Sequence, residues 1–220
     1  MALKYILFDL DGTLTDPGLG ITNCVMYALK RFGIEPSGRE ELFPYIGPPL
    51  MDSFMNFHGL NEDQAEKALW LYRERFDTKG LYENELIEGV PELLESLKNK
   101  GFKLIIATSK PEEYTVRILE HFSIDKYFDF VGGNTLREER PKKSDVIRYI
   151  MENHPDMSGD NTIMVGDRKF DVEGAHAFGI PAIGVLFGYG SRDELESAGA
   201  DFVVETVREL EERLIQHDAR

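Results

Sequence analysis

One cysteine, no long apolar run and a shortage of basic residues set the outer limits of this 220-residue chain. Cys24 stands alone, so no internal disulfide can form, which fits a reducing compartment. No nearby histidine or motif activates it, and it reads as a small apolar filler in a helix. No stretch approaches the ~20 apolar residues that span a bilayer, and no basic segment followed by a long apolar one opens the chain. The expectation is a soluble, unprocessed, cytoplasmic protein. Lysine and arginine total 25 against 40 aspartates and glutamates, a net charge of -15. Such a field repels nucleic-acid backbones and anionic membranes, and neither is expected as a partner. A small anionic ligand meets the same field and needs local positive charge. Lys110, Arg137, Arg140, Lys142, Lys143, Arg168 and Lys169 fall in loops or first helical turns after expected strands, where that charge is useful. His58, His121, His154, His176 and His217 form no ligand-spaced cluster and read as structural or surface residues. The chain has neither an internal repeat nor a low-complexity segment.

What the chain does have begins at once. An apolar run, Leu3 to Phe8, ends in Asp9-Leu10-Asp11-Gly12-Thr13. Side chains two apart on a strand point the same way, so Asp9 and Asp11 would share one crevice at the strand's C-terminal end. Two carboxylates so placed need a cation or split pKa values, and both solutions are catalytic ones.

From residue 102 onward, short apolar runs alternate with amphipathic segments, the pattern of a parallel sheet wrapped by helices. The runs are Phe102 to Ala107, Phe128 to Val131, Thr162 to Val165, Ala182 to Leu186 and Phe202 to Val204, with Leu3 to Phe8 completing the set. Val90, Leu93, Leu94 and Leu97 mark one helical stripe; Tyr114, Ile118, Leu119 and Phe122 mark another. Pro111 suits a first helical turn, and Gly101 and Gly179 suit helix ends. Between about Asp16 and Glu88 the alternation breaks. Val25, Ala28, Leu29 and Phe32, then Ala65, Leu69, Tyr72 and Phe76, form helical stripes with no convincing strand between them. This is the signature of a helical insertion after the first strand, with Trp70 and the Phe and Met residues expected in its core.

Ligands of open parallel sheets bind beyond the C-terminal ends of the strands. Thr108 and Ser109 follow one expected strand; Gly166, Asp167 and, four residues on, Asp171 follow another. A hydroxyl there can donate to a phosphoryl oxygen, and a further carboxylate can complete a cation site.

On these residues the chain resembles the haloacid dehalogenase superfamily, phosphatase branch, over nearly its whole length. FDLDGT resembles the first family motif, IIATSK the second, the Lys142-Lys143 region the third and VGDRKFD the fourth. VGDRKFD and the Gly188-Tyr189-Gly190-Ser191 segment look like the branch of phosphoglycolate phosphatases and 5′-nucleotidase-like enzymes. The resemblance implies an α/β fold: a Rossmann-like parallel sheet flanked by helices, formed by residues 1-15 and 87-220, with an inserted α-helical cap domain at 16-86.

The resemblance also implies roles. Asp9 is the nucleophile that forms an aspartyl-phosphate. Asp11 is the general acid and then the base. Mg²⁺ is the implied cofactor, held by the Asp9 carboxylate, the Asp11 backbone carbonyl and the Asp167 carboxylate. Thr108 is implied to bind the phosphoryl group, with Ser109 beside it. Thr108 read structurally is a cap for the helix beginning near Pro111. Lys143 is the implied phosphoryl-binding lysine, with Lys142 as its rival: many relatives show Lys-Pro where this chain has Pro141-Lys142-Lys143. Asp171 is implied to support the metal through water or to orient the lysine, its structural reading being a cap for the following helix. Arg168 and Lys169 read as solvated charges within reach of a second anionic group. Tyr45-Ile46-Gly47-Pro48-Pro49-Leu50 resembles a cap loop facing the active site, or is a turn joining two cap helices.

The implied function is a Mg-dependent phosphatase acting on a small phosphorylated metabolite, as a monomer or weak homodimer. A phosphosugar mutase is the alternative, sharing the Asp9 and Asp11 chemistry, and a non-catalytic phospholigand-binding module is a second.

Overall fold

The computed structural model describes residues 3–218, with side chains described as far as Gln216, so the His217 side chain lies outside the described residues. The chain divides into two compact units, Met1–Thr15 with Leu86–Arg220 and Asp16–Glu85. In chain order the strands are β1 (Tyr5–Phe8), β2 (Thr15–Asp16), β3 (Glu85–Leu86), β4 (Lys103–Pro111), β5 (Phe130–Asn134), β6 (Thr162–Gly166), β7 (Ala182–Val185) and β8 (Phe202–Val204). The helices are α1 (Gly18–Lys30), α2 (Leu50–His58), α3 (Glu62–Arg75), α4 (Val90–Asn99), α5 (Glu112–His121), α6 (Lys143–Asn153), α7 (Lys169–His176), α8 (Arg192–Ser197) and α9 (Val207–Asp218).

The larger unit is built on a six-stranded sheet of order β5-β4-β1-β6-β7-β8, every neighbouring pair parallel. Chain connections run to one side of β1 for β4 and β5, then to the other for β6, β7 and β8. The middle of the sheet is therefore where the winding reverses. All four residues of β1 are buried, as a central strand covered on both faces requires. Leu7, Ile105 and Met164 pack on one face with Val146, Ile147 and Ile150 of α6 and Val172 and Ala175 of α7. Alternation turns Ile6, Ile106 and Val165 to the opposite face, all fully buried. The Val90, Leu93, Leu94 and Leu97 stripe of α4 is buried as its spacing requires. Gly101 and Gly179 follow α4 and α7 with φ of 89° and 66°, left-handed conformations that end helices.

Strand ends differ from the apolar runs. β4 continues past Ala107 to Pro111 through a register shift against β5, because its polar tail Thr108-Ser109-Lys110 stays extended without being apolar. Pro111 ends that strand at the N-cap of α5, not inside the first turn. β5 begins at Phe130 rather than Phe128, since the 3-10 turn Asp125–Tyr127 occupies the approach.

The Asp16–Glu85 unit is helical, built from α1, α2 and α3. Val25, Ala28 and Leu29 of α1 are buried with Phe54 of α2 and Ala65, Ala68, Leu69 and Tyr72 of α3. Cys24 lies buried on α1, its Sγ accepting from Arg75 Nη1 at 3.3 Å, so it is not a purely apolar filler. Asn61 caps α3, its side chain accepting from the Gln64 N–H at 3.0 Å while Gln64 Oε1 accepts from the Asn61 N–H at 3.0 Å. Arg75 grips Glu83 with two bonds of 2.7 and 2.8 Å. The expectation that Trp70 lies in the core is wrong: it is 65% exposed. It follows Leu69 by one residue, which on a helix turns it about 100° off the buried stripe. Phe57 and Met55 are exposed as well, whereas Phe54 and Phe76 are buried. The paired strands β2 and β3, two residues each, lie where the chain passes between the units and are too short to leave a periodic signal.

Candidate active site

Register brings the functional strand ends level. Phe8 pairs with Ile106 on one side and Val165 on the other, so Asp9, Ala107 and Gly166 open the same edge, followed by Thr108 and Asp167. The Asp9 N–H donates to Val165 O at 2.9 Å, carrying the sheet pairing one residue past β1. The chain then turns tightly: Leu10 O accepts from the N–H groups of Thr13, Leu14 and Thr15 at 3.2, 2.9 and 3.1 Å. Gly12 sits in this turn at φ 79°, and a Cβ there would lie 2.3 Å from Asp167 Oδ2, so only glycine fits.

Lys143, the first residue of α6, is buried, and its ammonium meets three acceptors. These are Asp171 Oδ1 at 2.7 Å, Asp9 Oδ1 at 3.0 Å and Ala107 O at 2.8 Å. One carbonyl and two carboxylates on the ammonium fix the group in place. Burial works to lower its pKa, but the Asp171 and Asp9 carboxylates outweigh it and hold the lysine above its ordinary 10.5. Lys142, one residue earlier, is exposed.

Asp171 is in the first turn of α7, and its Oδ2 accepts from the Arg168 N–H at 3.0 Å. It thus secures the start of the helix from inside the first turn while holding Lys143. Burial pushes its pKa up, against the pull of Lys143. Asp167 is fully buried; its Oδ2 accepts from the Tyr189 N–H at 2.7 Å and its Oδ1 has no hydrogen-bond partner. Burial first, then Asp171 and Asp9, raise its pKa well above 3.8. One carboxylate oxygen from each of Asp9, Asp167 and Asp171 lies within 4.8 Å of the others.

Asp11 faces a different cation. Its Oδ2 lies 2.7 Å from Lys110 Nζ, and its Oδ1 is buried without a hydrogen-bond partner. Burial raises the Asp11 pKa, ahead of the lowering by Lys110. Thr108 is buried, and its Oγ1 accepts from the Lys110 N–H at 3.2 Å, which leaves the hydroxyl proton to be donated. Thr108 does not cap α5, whose N-cap is Pro111. Ser109 is half-buried in the same extended tail of β4.

Charge balance defines what the cluster lacks. Asp9, Asp11, Asp167 and Asp171 carry four carboxylates against the ammonium groups of Lys110 and Lys143. All-oxygen donors, an orphaned buried oxygen on Asp167 and this surplus of negative charge fit a hard divalent cation.

Several contacts at the site leave no signal in the sequence. The Tyr189 N–H is a backbone donor and leaves no mark in side-chain chemistry. A Cβ on Gly188 would lie 2.3 Å from Gly12 O and 2.4 Å from Asp167 Cβ, so that glycine lets its loop press on the cluster. Arg168 is not a loose charge: its Nε lies 2.9 Å from Glu194 Oε1. Glu112 Oε1 accepts from Arg140 Nη2 at 2.7 Å and from the Gly133 N–H at 3.2 Å, tying down the loop that leads to Lys143. In the helical unit, Tyr45 ends a 3-10 turn and Pro49 precedes α2, so Tyr45 to Leu50 joins two helical segments.

Residues 6–185 match the family model described as haloacid dehalogenase-like hydrolase. A 5′-nucleotidase of Pseudomonas aeruginosa is 44% identical over 198 residues, 89% of each chain. A phosphoglycolate phosphatase of Vibrio parahaemolyticus is 31% identical over 217 residues, 94% of each chain. The crystal structure of a predicted phosphatase from Clostridium acetobutylicum is 44% identical, covers 98% of this chain and 100% of its own, and superposes with a TM-score of 0.95. Protein tyrosine kinase A of Mycobacterium tuberculosis is 34% identical over 97% of this chain and 98% of its own, with a TM-score of 0.83.

Proposed function

We propose, from the premise that this chain belongs to the haloacid dehalogenase-like hydrolase family, that it is a Mg²⁺-dependent phosphatase of small phosphomonoester metabolites. The observation that carries this reading is Lys143 buried between Asp9 and Asp171, with the Asp167 carboxylate beside them at the end of the central strands. The 44% identity to a 5′-nucleotidase, against 31% to a phosphoglycolate phosphatase, favours a nucleoside monophosphate as substrate. The partner is then a small metabolite, and the protein acts in the cytoplasm as a monomer or weak homodimer. Among the described residues no helix is long and apolar enough to cross a membrane.

Asp9, Asp167 and the Asp11 backbone carbonyl would hold Mg²⁺, with Asp171 supporting from behind Lys143. When bound, the ion would offset the repulsion between an anionic nucleophile and an anionic ester. An Asp9 carboxylate oxygen attacks phosphorus and forms the aspartyl-phosphate. Lys143 faces the charge that develops on the phosphoryl oxygens, and the Thr108 hydroxyl donates to one of them. Asp11 gives its proton to the leaving alcohol and then takes one from the water that opens the intermediate.

The test is release of inorganic phosphate from nucleoside monophosphates, sugar phosphates and phosphoglycolate, with Mg²⁺ and with EDTA. Wild type should release phosphate only with the metal, most efficiently from nucleoside monophosphates, and Asp9→Asn should be inert while keeping its far-UV spectrum. Undiminished hydrolysis by Asp9→Asn would overturn the nucleophile. Isomerised hexose phosphate without free phosphate, or transfer to a protein tyrosine alone, would overturn the hydrolase.

A further inference from the structure

Lys110 and Asp11 form an ion pair beside Lys143 and its carboxylates, with only 7% and 13% of their side-chain surfaces exposed. The contact is asymmetric. Lys110 occupies Oδ2 of Asp11 at 2.7 Å and leaves Oδ1 buried without a hydrogen-bond partner. A buried carboxylate oxygen with nothing to bond is costly unless another group comes to meet it. The lysine is itself held from behind, its N–H donating to Thr108 Oγ1 at 3.2 Å on the extended tail of β4. One short stretch of strand thus carries both Thr108 and the cation that fixes Asp11.

We propose that Lys110 is the positioning residue for acid-base chemistry at Asp11: by binding Oδ2 it dedicates Oδ1 to carrying the proton. The inference deepens the phosphatase reading and rests on Asp11 as the group that protonates the leaving alcohol. In the first half-reaction a bond forms between an Asp9 oxygen and phosphorus while the ester P–O bond breaks, its electron pair staying on the leaving oxygen. That oxygen takes the proton from Asp11 Oδ1. Asp11 is left as a carboxylate, its charge met by the ammonium already at Oδ2. In the second half-reaction Oδ1 recovers a proton from the attacking water, and the cycle closes with no other donor.

A leaving group that needs no proton separates this role from simple packing. The 4-nitrophenolate ion leaves readily as an anion, whereas the alkoxide of a nucleoside 5′-monophosphate must be protonated as it departs. In Lys110→Met, kcat/KM for the nucleoside monophosphate should fall at least about tenfold further than kcat/KM for 4-nitrophenyl phosphate. Lys110→Arg, which keeps the cation, should restore part of that ratio. The ratio is taken on one preparation, so loss of folded protein cancels from it. Equal losses for both esters, or a raised KM for both with kcat intact, would overturn the assignment and make Lys110 a packing or anion-binding residue. A wild type that hydrolyses neither ester overturns the phosphatase reading and this inference with it; a wild type that hydrolyses both, with an unchanged ratio in Lys110→Met, overturns this inference alone.

Discussion

Asp171 Oδ1 lies 2.7 Å from Lys143 Nζ, closer than Asp9 Oδ1 at 3.0 Å, so the ammonium that faces the nucleophile is anchored by a second carboxylate behind it. Both partners are buried, and that anchorage sets the lysine's direction with no help from solvent.

Asp171→Asn should therefore lower kcat by about 10–100-fold, the range seen when a supporting hydrogen-bond partner of a site is lost. Steady-state kinetics with saturating Mg²⁺ measures it, and an unchanged kcat would separate Asp171 from the chemistry.

Four carboxylates facing two ammonium groups should make the protein more stable when a divalent cation binds. At Mg²⁺ a hundredfold above its dissociation constant the gain is about 2.7 kcal/mol, read as a rise in Tm against an EDTA control. Asp167→Asn removes a ligand and should shrink the rise; an identical rise in that variant would place the ion elsewhere.

Gly188→Ala should weaken both the fold and the cation site, because its Cβ would lie 2.4 Å from Asp167 Cβ and 2.3 Å from Gly12 O. Overpacking of this kind costs about 1–3 kcal/mol. Gly38→Ala is the control, since nothing lies within 4 Å of a Cβ there. Equal urea midpoints for the two variants would contradict the close approach.

In the helical unit, the Tyr45 hydroxyl lies 2.8 Å from His58 Nδ1, and burial lowers the His58 pKa below 6.5 despite Glu41, whose carboxylate lies 3.9 Å from Nε2. Below about pH 6.5 the unfolded chain takes up the proton before the folded one does, so this contribution destabilises as pH falls and vanishes above that value. The difference in unfolding free energy between wild type and His58→Asn should shift against the wild type between pH 7.5 and pH 5. A difference independent of pH would refute it.

The parts of this arrangement legible in the sequence were those written in side-chain type at strand ends. Apolar runs located the strands of the six-stranded sheet, though not the ends of β4 and β5, because a strand covered on both faces is apolar where it is covered. Asp9, Thr108 and Asp167 stand out because a polar residue directly after such a run has few structural reasons to be there. The pairing of Lys110 with Asp11 could not be read, since it depends on how far β4 stays extended past Ala107, and the polar residues there carry no periodicity. Trp70 is exposed despite its aromatic ring because its phase on α3, set by the buried stripe of Ala65, Ala68, Leu69 and Tyr72, turns it away from the core. The choice of Lys143 over Lys142 as the buried lysine turns on one residue of phase at the start of α6.

The order of the sheet also bears on how the polypeptide is made. β1 is synthesised first, yet it lies between β4 and β6, and its four buried residues have no partners until Lys103 onward has emerged. By then the whole Asp16–Glu85 unit has left the ribosome and can collapse on its own local helical contacts, which form sooner than distant parallel pairings. The sticky Tyr5–Phe8 segment must meanwhile wait, unpaired, through the translation of nearly half the chain.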